Sequence, residues 1–249
     1  MDIIYMDNNA TTKIAPEVLT AMMPYLTDYY GNASSMHSFG GTVGRELSAA
    51  REKVAALINA QPDEIIFTSC GTESDSTAIH AAIRSQPEKK HIITTRVEHP
   101  AIKNLYEYLG KNGYRLTWVP VDNEGVLDLD YLYEHLSDDT AVVSIMWANN
   151  ESGVIFPMDD IADKLLARGI VFHSDAVQAV GKIPVDVKKT GLNMLSLSGH
   201  KIHAPKGVGA LYVKKGTKFF PFMIGGHQER NPPRRHGKHS VHYRTGARL

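Results

Sequence analysis

The sequence has little cysteine and no long hydrophobic run. Cys70 is the single cysteine among 249 residues, so an internal disulfide is impossible and a disulfide-stabilised secreted fold is excluded. No apolar stretch approaches the roughly 18 residues that a membrane-spanning helix needs. The N-terminal MDIIYMDNNATT lacks the basic region and apolar stretch of a signal peptide. We therefore expect a cytoplasmic protein without a membrane partner.

A net charge is also missing, because 27 lysines and arginines balance 27 aspartates and glutamates. This balance gives no reason to expect a nucleic acid partner. The charge is unevenly distributed, however, since residues 231–249 contain five basic side chains and no acid. Such segments are often disordered. We predict one large domain over residues 1–230, which includes the N-terminal segment 1–15, and an aberrant, disordered basic tail over residues 231–249.

Helix-like and strand-like apolar patterns alternate along most of the chain. The strand-like stretches are EIIFTS, HIITTRVE, RLTWVPV, AVVSIMWA and GIVFHSDA, followed by the closely spaced MLSLS and GALYVKK. Several are continuous runs rich in valine and isoleucine, which indicates burial on both faces. The alternation predicts an α/β fold, with one doubly wound domain built on a mostly parallel sheet flanked by helices.

Polar residues follow five of the predicted strands, and ligands bind at the carboxyl ends of strands in open α/β sheets. In chain order these residues are Cys70, Gly71, Thr72 and Glu73; His99; Asn149 and Asn150; Asp175 and Gln178; and Gly199, His200 and Lys201. Each set alone is compatible with an ordinary loop or capping role. Five sets at equivalent positions favour one shared ligand site.

Together these side chains have the chemistry that pyridoxal 5′-phosphate (PLP) requires. Gly71 and Thr72 begin a helix, whose free N–H groups favour a phosphate. Asp175 ends a buried strand and needs a cationic partner, such as a protonated ring nitrogen. His99 offers a flat ring for stacking, and Lys201 offers an amine that can form a Schiff base. The neutral groups suited to the ring hydroxyl are Asn150 and Gln178.

Eight motifs follow one another in a specific order between residues 5 and 230. They are YMDNNATT, GNASSMHSFG, FTSCGTESD, VEHPAI, ANNESG, FHSDAVQAVGK, SGHKIHAPKGVGALY and GGHQER. In these motifs the sequence closely resembles the cysteine desulfurases, in particular the NifS-like group associated with nitrogen fixation. That group belongs to the class V aminotransferases, within fold type I of the PLP enzymes. The resemblance implies the PLP-binding large domain of that fold, without its C-terminal small domain.

The resemblance also implies a role for each matching residue. Lys201 would form the Schiff base with PLP and His99 would stack on the ring, which makes these two the expected catalytic residues. Those expected to bind the cofactor are Gly71, Thr72, His99, Asn150, Asp175, Gln178, Ser198, Gly199, His200 and Lys201. Those expected near the substrate carboxylate are Asn8, Ala10 and Asn150. No metal site is expected.

The activity that the resemblance implies is removal of sulfur from L-cysteine, which gives L-alanine and a protein persulfide. In the family, a mobile-loop cysteine carries the persulfide to acceptors such as iron–sulfur scaffold proteins, and the enzyme is a homodimer. That cysteine and the small domain would lie beyond residue 249, and Cys70 is expected to be a packing residue rather than a substitute. Two alternatives remain, a non-catalytic PLP-binding fragment and a related PLP lyase such as a selenocysteine lyase.

The tail segment RRHGKHSVHYRTG points to a shifted reading frame. With codons that the genetic code permits, the same bases read one position later encode GGTENIPSIIGL. That stretch resembles the segment that follows GGHQER in the family. We therefore expect a frame shift around residues 230–234, arising from a mutation or a sequencing error. Resequencing the gene tests this expectation, which an intact frame without family-like sequence in the alternative frame would refute.

Overall fold

The computed structural model of the protein describes residues 3–223. The basic tail and the predicted frame shift lie outside the described residues. The helices are α1 (Pro16–Thr27), α2 (Ser38–Leu57), α3 (Gly71–Arg84), α4 (Pro100–Lys111), α5 (Leu129–Glu134), α6 (Met158–Ala167) and α7 (Val187–Thr190). The strands are β1 (Ile65–Thr68), β2 (His91–Thr95), β3 (Arg115–Val119), β4 (Thr140–Ser144), β5 (Val171–Asp175), β6 (Met194–Ser198) and β7 (Gly209–Val213).

The strands form one sheet in the order β1-β7-β6-β5-β4-β2-β3. The five strands from β6 to β3 pair in parallel, whereas β7 is antiparallel to both β6 and β1. A parallel return needs a crossover of about a dozen residues or more, and the short connection between β6 and β7 instead favours an antiparallel pair. The mostly parallel α/β sheet flanked by helices, predicted from the sequence, is confirmed.

Helices cover both faces of the sheet, and every residue of β2, β4, β5, β6 and β7 is buried. Because alternate strand residues point to opposite faces, the strands feed two separate core clusters. Ile93 and Val143 pack on the side of α6, whereas Ile92 and Val142 pack on the side of α3 and α4. The sheet therefore packs against a core on each face, and the loops that follow its strands begin from buried positions.

Helix α1 packs less tightly than the others. Pro16 begins the helix, as expected for a residue without an N–H group, but none of its residues is fully buried. The apolar side chains that it leaves largely exposed are Leu19, Met23 and Leu26. Within residues 3–223, no helix is both long enough and apolar enough to cross a membrane.

Candidate active site

A cavity of about 550 Å³ opens at the carboxyl ends of the strands. Loops after β1, β2, β4, β5 and β6 contribute to its walls, together with the chain that precedes α1. The lining residues are Asp7, Asn9, Ala10, Cys70, Gly71, Thr72, Asp75, His99, Met146, Ala148, Asn150, Glu151, Asp175, Val177, Gln178, Ser198, His200 and Lys201. The five sets of polar residues predicted to share one site therefore each contribute to a single cavity.

Two of the predicted site residues do not line the cavity, namely Asn8 and Gly199. Gly199 lies where β6 and β7 approach closely, and its N–H donates to the carbonyl of Val208 at 3.0 Å. A β-carbon at Gly199 would come within 2.8 Å of a Val208 methyl group, so only glycine fits without a shift. The roles of all the predicted residues toward PLP stay predictions.

One end of the cavity is formed by the N-terminus of α3. The first N–H groups of this 14-residue helix have no acceptor within the helix and carry the positive end of its dipole. A β-carbon at Gly71 would lie 3.1 Å from Val177 and 3.5 Å from Ser198, so glycine keeps this end open. The buried hydroxyl oxygen of Ser198 has no hydrogen-bond partner within residues 3–223. This end of the cavity has the donors that an anion such as a phosphate needs.

Asp175 supplies the acid in the middle of the cavity. It ends strand β5 and is only 5% exposed, and its Oδ1 accepts the N–H of Val177 at 2.9 Å. Burial raises the pKa of Asp175, while the Val177 N–H and the nearby His99 and Lys201 side chains pull that pKa down. A buried carboxyl in this setting is stabilised as a carboxylate by a cationic ligand group.

Lys201 supplies the amine, in the 3-10 turn after β6. Its Nζ donates to the backbone carbonyl of Asn9 and, at 3.0 Å, to that of Ala10. Burial lowers the pKa of Lys201, and the charge of Lys182 lowers it further, whereas Asp175 acts in the opposite direction. A lysine with a lowered pKa is more often deprotonated, which is the form that attacks an aldehyde.

The segment before α1 is fastened across the cavity, and sequence reasoning missed its central residue, Asn9. The Asn9 carbonyl also accepts the Gln178 side-chain N–H at 3.0 Å, and the Asn9 side chain donates to the Asn150 carbonyl at 3.0 Å. The His200 ring meets the Thr11 hydroxyl at 3.0 Å. The motif DNNATT indicates that this segment matters. The contacts of Asn9 are made largely by its backbone carbonyl, which every residue has, so the residue type does not reveal them.

His99 and the two asparagines after β4 have separate tasks. His99 caps α4, where its Nδ1 accepts the N–H of Ala101 at 3.1 Å, so the ring orientation is set by the helix. Asn149 stabilises the loop after β4, because its side chain donates to the backbone carbonyl of Val97 and accepts the N–H of Glu151. Asn149 is therefore a structural residue, and the neighbouring Asn150 is the one that lines the cavity.

The cavity agrees with the chemistry of PLP at three points. N–H groups that could bind an anion lie at the N-terminus of α3. The buried acid is Asp175, and the amine with a lowered pKa is Lys201. Within residues 3–223, no group of three or more histidine, cysteine, aspartate or glutamate side chains is arranged to hold a metal ion.

Comparison with known proteins gives a consistent result. The aminotransferase class-V family model matches residues 4–245. The chain is 58% identical over 241 residues to a cysteine desulfurase of Trichormus azollae, covering 97% of this chain and 60% of the relative. It is 56% identical over 228 residues to the cysteine desulfurase NifS of Azotobacter vinelandii, covering 91% of this chain and 57% of the relative.

A solved structure agrees with the sequence relatives. A NifS-like protein superposes with a TM-score of 0.89 at 39% identity, over 94% of this chain and 65% of that protein. The chain thus spans about 60% of the length of the curated relatives that it matches. It belongs to the aminotransferase class-V family, and its relatives in that family include NifS-like cysteine desulfurases.

Proposed function

We propose that this chain is the PLP-binding part of a cysteine desulfurase, which converts L-cysteine to L-alanine and transfers the sulfur. The observation that carries the proposal is the shared cavity, into which the Lys201 amine, the Asp175 carboxyl and the α3 N-terminus all open. The names of its relatives support the same activity. Bound PLP supplies an electron-withdrawing ring that stabilises negative charge next to the substrate nitrogen.

The protein groups divide the binding task along the cavity. The N–H groups of Gly71 and Thr72 and the hydroxyl of Ser198 bind the phosphate. The carboxylate of Asp175 would face the protonated ring nitrogen. The amine of Lys201 would hold the aldehyde carbon by condensing with it and releasing water. The remaining proposed contacts are His99 on the ring face, His200 beside the phosphate, and Asn150 and Gln178 near the ring hydroxyl. Gly199 would act through the backbone between Ser198 and His200, because it does not line the cavity.

The substrate would bind beside the N-terminal segment in this proposal, with its carboxylate near Ala10 and Asn150, which line the cavity, and near Asn8, which adjoins it in the chain. Sulfur leaves when a cysteine thiolate of the enzyme attacks the substrate sulfur, the carbon–sulfur bond breaks, and the carbon takes up a proton to give alanine. Cys70 is not that thiolate, because it directly precedes Gly71 at the phosphate end of the cavity. The persulfide then passes to an iron–sulfur scaffold protein in the cytoplasm, in the setting of nitrogen fixation.

We assign the exposed apolar side of α1 to contacts within a homodimer. Leu19, Met23 and Leu26 leave 51%, 46% and 56% of their surface exposed, and their spacing places all three on one side of α1, where they form a shared apolar patch. A second copy of the chain would cover them.

The test compares PLP binding and alanine formation from L-cysteine by the purified 249-residue chain. The chain should bind PLP but form no alanine above the free-PLP rate, because its single cysteine, Cys70, is not the attacking thiolate. Lys201→Ala should abolish the visible absorbance of bound PLP, and Lys206→Ala, at an exposed position of the same loop, is the matched control. Turnover that survives Cys70→Ser would contradict the proposal, and a protein that stays inactive after the reading frame is restored would favour the non-catalytic fragment. Activity with selenocysteine but none with cysteine would favour a selenocysteine lyase.

A further inference from the structure

A second carboxyl group lies behind Asp175. Asp75 is the fifth residue of α3, is only 1% exposed, and reaches the wall of the cavity. Its Oδ1 is fully buried and has no hydrogen-bond partner within residues 3–223. Nε2 of His173 lies 3.6 Å from this Oδ1, which is longer than a hydrogen bond.

The fold explains why these three groups meet. His173 and Asp175 are alternate residues of β5, so both point to the same face of the sheet. Helix α3 packs on that face, because Val171, two residues before His173, shares a core cluster with Ala78 and Ile79 of α3. Asp75 is one turn before Ala78 and Ile79, which places it over the end of β5.

No cation balances Asp75 from the side of His173. The ring of His173 is held between the hydroxyls of Ser144 and Ser196, each at 2.9 Å. Burial lowers the pKa of His173 to about 3, so the ring is neutral at physiological pH. Burial together with the charge of Asp175 raises the pKa of Asp75 well above its usual range, and the Ser196 hydroxyl offsets this only in part.

The other groups that face Asp75 favour the same state. Glu98, beyond β2, is a third buried carboxyl, and burial raises its pKa to about 8. Tyr106 of α4 has a buried hydroxyl without a hydrogen-bond partner in the described chain, and Cys70 precedes α3. Glu98 accepts the Met146 N–H at 2.8 Å, just as Asp175 accepts the Val177 N–H. Asp175 differs in facing the side chains of His99 and Lys201, which lower its pKa.

We propose that Asp75 is a positioning residue, which stays an uncharged acid and leaves Asp175 as the single carboxylate presented to a cationic ligand group. An uncharged Asp75 can donate a hydrogen bond inside the cavity, whereas two adjacent buried carboxylates would repel each other. The inference rests on the proposed function only in taking that cationic group to be the ring nitrogen of PLP.

The first test needs no PLP and uses the full 249-residue chain with ¹³C-labelled aspartate carboxyls. Asp75→Asn and Asp175→Asn assign the two resonances by their loss. We expect the Asp75 resonance to be that of a protonated acid at neutral pH, and the titration midpoint of Asp175 to be the same in wild type and Asp75→Asn. An Asp75 that titrates in the ordinary carboxyl range would overturn the proposal. So would an Asp175 midpoint that falls by about one unit or more in Asp75→Asn, since it would show a charged Asp75.

The second test separates positioning from a merely structural role by measuring PLP affinity. Asparagine resembles a protonated aspartate, so Asp75→Asn should bind PLP within about threefold of wild type, whereas Asp75→Ala should bind roughly tenfold more weakly. Asp163→Asn, on the exposed side of α6, is the control. Equal affinities of Asp75→Ala and Asp75→Asn would refute the positioning role. If wild type binds no PLP, the proposed function fails, but the carboxyl titration still decides whether Asp75 is protonated. The titration also decides this if Asp75→Ala does not fold, because it uses only wild type and the two asparagine variants.

Discussion

Thr12 and His200 are joined by two hydrogen bonds to one atom across 188 sequence positions. Both the backbone N–H and the hydroxyl of Thr12 donate to the carbonyl oxygen of His200, each at 2.9 Å. The same hydroxyl accepts the N–H of His203 at 2.8 Å. Because His200 and His203 flank Lys201, this one side chain fastens the segment before α1 to the loop that carries the reactive amine.

Thr12→Val should therefore destabilise the protein by about 1–2 kcal/mol, because it removes one hydrogen bond and leaves the His203 N–H without its acceptor. The change in the free energy of unfolding is measured by urea denaturation. Thr20→Val is the control, since the Thr20 hydroxyl only returns to the Pro16 carbonyl within exposed α1. Equal effects of the two substitutions would contradict a special role for Thr12.

Lys201 should be the residue that PLP labels. Added PLP should turn the protein yellow, and borohydride reduction should fix the cofactor to Lys201, identified by peptide mass spectrometry. Lys201→Ala should lose the visible absorbance, because no other described lysine lines the cavity. Lys206, five residues further on, should remain unlabelled. A protein that stays colourless with added PLP would argue against a PLP site in this chain.

Glu98→Gln should remove part of the pH dependence of stability. Burial raises the pKa of Glu98 from 4.5 to about 8, so the folded state holds this proton more tightly than the unfolded state between those pH values. The free energy of unfolding should then fall as pH rises through that window, by at most about 1.4 kcal/mol per pH unit from this group.

Glutamine cannot lose a proton, so the stability of Glu98→Gln relative to wild type should increase steadily from about pH 5 to about pH 8. Urea denaturation at intervals across this range measures the difference. Glu107→Gln, at an exposed position of α4, should give a curve parallel to wild type. If the curve of Glu98→Gln also runs parallel to wild type, Glu98 is ionised throughout.

Gly209→Ala should strongly destabilise the sheet. A β-carbon at Gly209 would lie 2.8 Å from the backbone carbon of Cys70 and 2.8 Å from the Thr68 hydroxyl, so β1 and β7 would have to separate. We expect a loss of about 1–3 kcal/mol by thermal or urea unfolding. Gly41→Ala is the opposite case, because a β-carbon at this position of helix α2 would meet nothing within 4 Å. We expect this substitution to raise the free energy of unfolding by roughly 0.5–1 kcal/mol. Equal responses at the two glycines would show that the close approach at Gly209 relaxes easily.

The fold and most of the cavity could be predicted from residue patterns, because buried parallel strands have continuous apolar runs and their carboxyl ends share one edge. These patterns place His99, Asp175 and Lys201 at one site, and all three line the cavity. The patterns predict β6 and β7 as two closely spaced strands but do not give their antiparallel pairing. Pairing direction depends on the length of the connection and on partners distant in the chain.

Asp75 shows what pattern reasoning missed and how it could have been found. It lies three and four residues before Ala78 and Ile79, so it shares the apolar stripe of α3 that faces the sheet. A lone acid on such a stripe is a signal for a buried carboxyl. Its neighbours, however, depend on the rotation of α3 over β5, which the local sequence does not determine.

The pairing of β1 with β7 has a consequence for how the chain assembles during synthesis. Ile65 pairs with Tyr212, so β1 has no strand partner until roughly 150 further residues have been made. At about 5–20 residues per second, β1 stays without its partner for roughly 8–30 s during synthesis. Such distant pairings are slow to form, and an unpaired strand edge invites aggregation. The arrival of β7 should therefore be the late step that closes the sheet, and β1 keeps an unpaired edge until then.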